Sequence, residues 1–375
     1  MNAPRLAMSR RTRSTPFSSR VEAAGLASYT VYNHMLLPTS FRGVEADYWH
    51  LRTAAQIWDV SVERQVELIG PDAARLAQLL TVRDISKVGI GRCAYVPICD
   101  AAGKLINDPI LMRLADDRYW LSVADSDVVL WAGGLAHGMN LNVSVFEPDV
   151  WPLAVQGPRA EDVVAAVLGD QVRAITFFRF AVTAFRGHPL VVARTGWSAQ
   201  GGFEIYVDDP TVGADLYDAL TQAGEPFDIG PGCPNLIERI EAGLLSYGND
   251  VTRHDTALEA GLDRYCSLQS SIEAIGLDAL RAQAAAGVPR RIVGLQIDGA
   301  QVPANRDPWT TVDSNGRVIG DTRSAVWSPR LETNVALAMV DAAFTRVGSQ
   351  LVVECPDGQR SATVVELPFP GAMQR

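Results

Sequence analysis

The chain has 375 residues, of which 47% are hydrophobic and 20% charged, as expected of a globular protein with roughly two or three domains. Its formal net charge of −10 argues against non-specific binding to nucleic acid or to an anionic membrane surface. The five cysteines form no C-x-x-C pair, so neither a disulfide framework nor a zinc site is indicated. We therefore expect a cytoplasmic protein with no metal, nucleic-acid or membrane partner.

The first 20 residues contain five arginines and no acidic residue, and no apolar segment of a secretory signal follows them. We predict a disordered tail over residues 1–20. An N-terminal α+β domain is predicted over 21–150, where the spacing of Val44, Tyr48 and Leu51 indicates an amphipathic helix. Its further predicted elements are strands at 57–61, 64–69, 95–99, 110–114 and 119–123 and helices at 71–80 and 126–137.

A second α+β domain is predicted over 151–288, and a C-terminal all-β domain over 289–375. Strands mixed irregularly with helices favour the α+β class over a doubly wound sheet. The second domain is expected to contain strands at 153–156, 177–185, 190–194 and 203–207 and helices at 160–168, 212–223 and 235–245. Five alternating segments predict the barrel-like third domain, at 291–297, 317–321, 336–340, 350–354 and 360–365.

The segment Gly202–Val207 places a carboxylate in a strand whose neighbours belong in a core. With a period of two residues, Phe203 and Ile205 take one face, and Glu204 and Tyr206 share the other. A half-buried carboxylate is costly without donors, and a group with two adjacent N–H donors suits its two oxygens. An arginine or the amino-heterocycle of a ligand could supply that pair. An exposed Glu on an edge strand and a structural ion pair remain open alternatives.

Two further sites carry candidate chemistry. Asp108 lies in Asn107-Asp108-Pro109 at the mouth of a predicted strand, where a carboxylate can orient a nucleophilic amine or take its proton, although it could equally be a turn residue. Arg239 lies on the predicted helix at 235–245 and could form a buried ion pair or receive a ligand carboxylate. Patterns of Ser/His hydrolases, nucleotide-binding loops and zinc proteases are absent from the sequence.

Several long segments together resemble the glycine-cleavage T-protein family of tetrahydrofolate-dependent aminomethyl- and methyltransferases, over about residues 45–368. The resemblance is greatest to its dimethylsulfoniopropionate demethylase branch. The matching segments are Trp58-Asp59-Val60, Arg64-Gln65-Val66-Glu67, Asn107-Asp108-Pro109, Gly202-Phe203-Glu204-Ile205, Gly232-Cys233-Pro234-Asn235-Leu236-Ile237-Glu238-Arg239 and Tyr247-Gly248-Asn249-Asp250.

The resemblance implies a three-domain ring around a central folate site, with a C-terminal β-barrel. It further implies that tetrahydrofolate accepts a methyl group at N5, that Glu204 grips the pterin and that Asp108 faces N5. Asn107, Arg239 and Tyr95 are expected at the same folate site. T-proteins usually carry two acids where this chain has Asn107 before Asp108, and a change of substrate is one explanation.

The resemblance also implies a small-molecule methyl donor, dimethylsulfoniopropionate, and no second cofactor. Because a sulfonium is a cation, aromatic faces should favour it, with Trp197 and Tyr206 the first candidates and Trp151 behind them. The alternatives are a folate-dependent O- or N-demethylase, a glycine-cleavage aminomethyltransferase with a lipoyl-protein partner, and a non-catalytic folate-binding regulatory protein. A homodimer is compatible with each of them.

Overall fold

The computed structural model describes residues 9–373, within which eight α-helices accompany 21 strands. No helix in this range combines the length and the apolar character needed to cross a membrane. The helices are α1 (Ser18–Ala23), α2 (Val44–Thr53), α3 (Ala73–Leu80), α4 (Val128–Gly138), α5 (Ala160–Leu168), α6 (Pro210–Gly224), α7 (Leu236–Ala242) and α8 (Leu277–Ala286).

The strands fall into two mixed α/β regions and a final all-β region, so the predicted α+β class is confirmed. The first region contains β1 (Ser28–Tyr32), β2 (Met35–Ser40), β3 (Ala55–Asp59), β4 (Gln65–Ile69), β5 (Cys93–Tyr95), β6 (Ile98–Cys99), β7 (Leu105–Asn107), β8 (Ile110–Ala115), β9 (Arg118–Ser122) and β10 (Ser144–Phe146). The second contains β11 (Trp151–Gln156), β12 (Phe180–Phe185), β13 (His188–Ala193), β14 (Gly202–Val207) and β15 (Ile229–Pro231). The third contains β16 (Arg290–Ile297), β17 (Trp309–Val312), β18 (Val318–Ser328), β19 (Thr333–Asp341), β20 (Gln350–Cys355) and β21 (Gly358–Val365).

A five-stranded sheet in the order β10-β4-β9-β8-β5 forms the first unit. Helices α3 and α4 cover one of its faces, and their apolar side chains pack with those of the strands in a core that includes Leu68, Leu76, Leu111 and Leu121. The second unit is a six-stranded sheet in the order β12-β13-β14-β11-β3-β15, whose core with α5 and α6 includes Phe203.

Strand β3 does not belong to the unit that its position in the sequence suggests. It pairs antiparallel with β11 and parallel with β15, inside the six-stranded sheet of the second unit. The predicted division of the chain near residue 150 is therefore too simple, because an early strand completes a later sheet. The turn at residues 60–64 then carries the chain from one sheet to the other.

The C-terminal unit is a closed barrel in the order β16-β19-β18-β17-β20-β21, as the all-β prediction required. Closure gives every strand two hydrogen-bonded neighbours, so no edge is left exposed. The sequence pattern had not indicated β17. Helix α7 packs between α2 and the barrel, where Tyr48, Ile237, Ile240 and Val335 share one buried cluster.

A side-chain cap at one end and a glycine at the other fix the ends of α7. The Asn235 side chain accepts hydrogen bonds from the backbone N–H groups of Ile237 and Glu238, at 3.0 and 3.2 Å. Gly243 ends the helix with a φ of 66°, a conformation that glycine adopts without strain. The seven-residue helix is therefore defined at both ends, and the predicted extension to residue 245 does not form.

The prediction of a disordered tail over residues 1–20 is wrong for its final part. Phe17 is fully buried and its ring stacks on Tyr217 with centroids 6.1 Å apart. Arg20, in α1, makes two hydrogen bonds of 2.7 and 2.6 Å to the carboxylate of Asp218. An aromatic core contact and a bidentate ion pair thus attach this segment to the second unit, while residues 1–8 lie outside the described residues.

The hairpin of β1 and β2 was not predicted either. Its turn consists of Asn33 and His34, whose φ values of 47° and 62° match the two-residue turns preferred by twisted hairpins. The Asn33 side chain donates to the carbonyl oxygens of Val62 and Ala124, at 2.9 and 3.2 Å. These bonds attach the tip of the hairpin to the turn at residues 60–64 that joins the two sheets.

Candidate active site

Strand β14 presents two different faces, as the alternation predicted. Phe203 and Ile205 are fully buried in the core beneath α5 and α6, and Glu204 lies on the opposite face. Its neighbours across the strands on that face are Ala154 of β11 and Ala193 of β13. Both neighbours are alanines, whose methyl groups are the smallest side chains that could flank the carboxylate on this face.

Glu204 is only 5% exposed, yet no arginine pairs with it within residues 9–373. Its Oε2 accepts hydrogen bonds from the hydroxyl groups of Thr195 and Tyr206, the latter at 3.2 Å. Burial raises the pKa of Glu204, and the two hydroxyl donors partly oppose that rise. Oε1 has no partner in the described residues. The residues present therefore fit a ligand that offers N–H donors.

The loop before β14 holds Thr195 against this carboxylate. A Cβ atom at Gly196 would lie 2.1 Å from Nε2 of Gln156, and the backbone there has a φ of 154°. The Gln156 amide also donates to the carbonyl oxygen of Thr195, at 3.2 Å. Only glycine fits such a close approach, so the sequence Thr195-Gly196 fixes the hydroxyl that supports Glu204.

Asp108 follows β7 and is half-buried. The phenolic hydroxyl of Tyr95 donates to its Oδ2 at 2.6 Å. Burial raises the pKa of Asp108 to about 7, the Tyr95 bond opposes this rise, and the negative charge of Asp250 adds to it. A carboxyl group with such a pKa can hold or release a proton near neutral pH.

Asn107 and Tyr95, both predicted at the folate site, support Asp108 from within the protein. The Asn107 amide donates to the carbonyl oxygen of Ala124 and to the Ser126 hydroxyl, at 3.0 and 2.8 Å. Its oxygen accepts the backbone N–H groups of Asp108 and Ala124, at 3.0 and 3.1 Å. The hydrogen-bonding capacity of this buried amide is used up, so the expectation that it contacts a ligand is corrected.

Arg239 is also placed differently from the prediction. The guanidinium is buried and donates to Asp250 at 2.6 Å and to the Ser324 hydroxyl at 2.7 Å. Ser324 belongs to β18, so the contact joins α7 to the barrel. The buried ion pair, which the sequence left open as an alternative, is therefore the arrangement found, and Arg239 has its partners without a ligand carboxylate.

The three aromatic residues predicted around the donor lie in different places. Tyr206 is 2% exposed, shares the face of Glu204 and lies 5.7 Å from the Trp120 ring between centroids. Trp197 is half-buried. The guanidinium carbon of Arg239 lies 5.9 Å from the centroid of the Trp197 ring. Trp151 is paired with Val207 and packs against the core under α5 and α6. It therefore lies on the opposite side of the sheet from Glu204, and its prediction as a substrate contact is wrong.

Sequence reasoning missed two residues of this site. Glu63 lies in the turn between β3 and β4, and its pKa is raised mainly by burial and then by the negative charges of Glu204 and Asp108. The pKa of Tyr32, at the end of β1, is raised mainly by burial and then by the charges of Glu63 and Asp108. We call Glu63, Asp108 and Glu204 the acidic cluster. The β-branched and aromatic residues from Tyr29 to Tyr32, followed by Asn33, are the part of the sequence that is typical of a strand entering a turn.

Across residues 9–373, no group of three or more His, Cys, Asp or Glu side chains is arranged to hold a metal ion. The acidic cluster is consequently not a metal centre. It joins three parts of the chain: the turn after β3, the residue after β7 and the middle of β14. Buried or half-buried carboxyl groups with raised pKa values are typical of a functional site.

The chain is similar to known proteins over most of its length. A family description, GCVT N-terminal domain, matches residues 17–270, and another, Glycine cleavage T-protein C-terminal barrel domain, matches residues 290–370. A protein of Ruegeria pomeroyi named dimethylsulfoniopropionate demethylase is 50% identical over 96% of this chain and 97% of its own length. An aminomethyltransferase of Lysinibacillus sphaericus is 30% identical over 89% of this chain and 91% of its own.

The fold has a counterpart among solved structures. The glycine cleavage system aminomethyltransferase T of Bartonella henselae superposes with a TM-score of 0.86 and covers 96% of this chain and 98% of its own, at 24% identity. That likeness establishes the three-part architecture and the C-terminal barrel. Together with the matched residues, it shows that the chain belongs to the glycine cleavage T-protein family.

Proposed function

We propose that this protein is a tetrahydrofolate-dependent demethylase, which moves a methyl group from dimethylsulfoniopropionate to N5 of tetrahydrofolate and leaves methylthiopropionate. The observation that carries the choice of donor is the 50% identity to the Ruegeria pomeroyi demethylase over nearly both chains. Two aminomethyltransferase relatives are 30% and 33% identical, which supports the sulfonium donor over an aminomethyl-lipoyl carrier.

Glu204 is proposed to hold the pterin. Its free Oε1 and its partly satisfied Oε2 suit the amino and N3–H donors at one edge of that ring. Thr195 and Tyr206 keep the carboxylate in one orientation before a ligand arrives. The side chain is thereby preorganised, which reduces the entropy lost when the pterin binds.

Asp108 is proposed to take the proton that leaves N5 as the methyl group arrives. Tetrahydrofolate supplies the nucleophilic nitrogen for this transfer. Because the sulfonium leaves as a neutral thioether, the protein's main contribution is alignment, and Asp108 needs only a pKa near neutrality. Tyr95 orients the carboxylate through its hydroxyl, and Asn107 fixes the backbone beneath it.

The test incubates purified protein and tetrahydrofolate with four donors: dimethylsulfoniopropionate, dimethylglycine, a methoxybenzoate and the aminomethyl-lipoyl carrier protein. We expect 5-methyltetrahydrofolate and methylthiopropionate in equal amounts from the sulfonium alone. Transfer from one of the other donors, with none from the sulfonium, would overturn the choice of substrate. Folate binding without transfer from any donor would favour a regulatory protein instead.

The proposal includes cytoplasmic residence and a homodimer. The five cysteines are all unpaired and buried, which supports a reducing compartment.

On the second unit, Phe177 is 74% exposed, and Val182 on the edge strand β12 is 66% exposed, so this side offers an apolar contact surface. Light scattering should give twice the chain mass of 40.5 kDa, and the monomer mass would contradict the dimer alone.

A further inference from the structure

Glu63 is a half-buried acid without a protein partner. Its carboxylate makes no hydrogen bond or ion pair with any residue in the described range 9–373. The adjacent cation does not neutralise it, because Arg64 forms an ion pair with Glu147 instead. The backbone around Glu63 is nevertheless well fixed: Gln65 donates to the Glu63 carbonyl oxygen at 2.8 Å, and Asn33 to that of Val62 at 2.9 Å.

The charged and titratable groups that act on Glu63 offer it no compensation. Glu204 from β14 and Asp108 from the segment after β7 are both acids, and Tyr32 from β1 is a phenol. Glu204 is only 5% exposed, and its Oε1 has no hydrogen-bond partner in the described residues. Its negative charge acts on Glu63. Because grouped and partly desolvated carboxylates are costly without a counter-charge, a cation from outside the protein would relieve all three.

We propose that Glu63 is the counter-charge for the onium group of the methyl donor, with the Tyr32 ring beside it. This inference rests on the proposed function and extends it to a residue that determines specificity. A sulfonium carries a full positive charge but no N–H or O–H donor, so it gains from an anion and an aromatic face rather than from hydrogen bonds. Glu63 fits that chemistry because no protein donor orients it, whereas Glu204 accepts two hydroxyl bonds.

The hairpin tip connects the two halves of this subsite. Asn33 directly follows Tyr32 in the chain, and its side chain binds the carbonyl oxygen of the residue before Glu63. Its backbone N–H also donates to Asp125 at 2.8 Å. The backbone next to Tyr32 and the backbone next to Glu63 are thus joined by the same side chain, so the subsite is built from the N-terminal hairpin and the inter-sheet turn.

Calorimetric titration can isolate the charge. Dimethylsulfoniopropionate and 4-methylpentanoate, which keeps the carboxylate and has an uncharged C–H group in place of the sulfonium sulfur, are titrated into the wild-type protein, Glu63→Gln and Glu45→Gln. We expect the wild type to prefer the sulfonium at least about tenfold. Glu63→Gln should lose about tenfold of that preference while its affinity for 4-methylpentanoate stays within about twofold. Glu45→Gln removes an exposed acid of α2 and should preserve the preference.

Two results would overturn the inference. One is a Glu63→Gln variant that folds normally and keeps the wild-type preference for the sulfonium over 4-methylpentanoate. The other is a loss of tetrahydrofolate affinity in Glu63→Gln as large as that in Glu204→Gln, which would make Glu63 a folate ligand. Failure of the proposed function looks different: the wild type would bind the sulfonium through Glu63 without forming 5-methyltetrahydrofolate. In that case the charge-dependent binding still supports the Glu63 assignment.

Discussion

Glu204 accepts two hydroxyl hydrogen bonds on one oxygen and none on the other. Replacing it should therefore weaken folate binding while the protein still folds. In Glu204→Gln one acceptor becomes a donor, and a charge-assisted bond is lost. We expect tetrahydrofolate affinity to fall by about 2–4 kcal/mol. Fluorescence titration measures it, with the exposed Glu354→Gln as the charge-matched control. Wild-type affinity in Glu204→Gln would remove the pterin assignment.

Asp108 should set the acid side of the pH profile. Its pKa is raised to about 7 by burial, so it is mostly protonated below that pH and cannot take a proton from N5. We expect kcat/KM to rise with pH through about 7 in the wild type, and Asp108→Asn to lose at least about tenfold in turnover together with that pH dependence. If the variant keeps the same rise, another group, such as Glu63 or Glu204, carries it.

Sequence reasoning succeeded for individual residues where a regular pattern defined the environment. The alternation around Glu204 identified a buried carboxylate because its neighbours had to face a core. It failed for Glu63, because an acid in a turn is normally solvated and no local pattern reveals what packs over it. It also failed to separate ligand contacts from supports, since the partners of Asn107 and Arg239 lie far away in sequence.

At the level of elements, the hairpin of β1 and β2 depends on Asn33. Its amide donates to carbonyl oxygens of two segments, and its φ of 47° suits Asn better than most residues. Asn33→Gly keeps the turn and loses the bonds, whereas Asn33→Ala loses both. We therefore expect the free energy of unfolding to fall by about 1–3 kcal/mol in Asn33→Gly and by more in Asn33→Ala.

Urea unfolding measures the change in the free energy of unfolding of the whole protein, and hydrogen exchange over residues 28–40 shows whether the hairpin opens locally. The sulfonium KM should rise in both variants, because Tyr32 is no longer fixed. His34→Gly, at the other turn position, is the matched control that leaves the Asn33 bonds in place. Equal exchange rates in all three variants and the wild type would contradict the anchoring role.

Elements with strong periodicity were predicted well, and those defined by distant pairing were not. Helix α5 was predicted over the residues it occupies, because its apolar positions repeat at helical spacing. Strand β3 was recognised, but its place in the later sheet could not be, since pairing with β11 and β15 is non-local. The hairpin and β17 were missed because each is short or largely exposed.

On the scale of the whole molecule, the buried ion pair of Arg239 and Asp250 meets the barrel at Ser324 of β18, because the Ser324 hydroxyl accepts from Arg239 and donates to Asp250. Arg239→Met leaves a buried carboxylate without its cation, so we expect a loss of about 3–5 kcal/mol in the free energy of unfolding. The double variant Arg239→Met/Asp250→Leu should recover much of it, because neither charge remains buried. Urea unfolding measures both.

An exposed ion pair provides the comparison. Arg186 and Asp215 are 65% and 50% exposed, so Arg186→Met should cost only about 0–1 kcal/mol. If Arg239→Met is equally mild, the buried pair is not what couples the barrel to the second unit. If the double variant is no better than the single one, packing around α7 is responsible instead of charge.

The position of β3 in the later sheet has a consequence for synthesis on the ribosome. At roughly 5–20 residues per second, the β11 partner of this strand follows roughly 95 residues behind it and so is made about 5–20 s later. During that interval the apolar strand has no sheet to join, although its chain neighbours in the five-stranded sheet can already fold. The emerging chain would therefore benefit from a chaperone bound at this strand. A translational pause before residue 156 would lengthen the time that β3 spends unpaired, whereas a pause after residue 156 would not, because β11 has then been made.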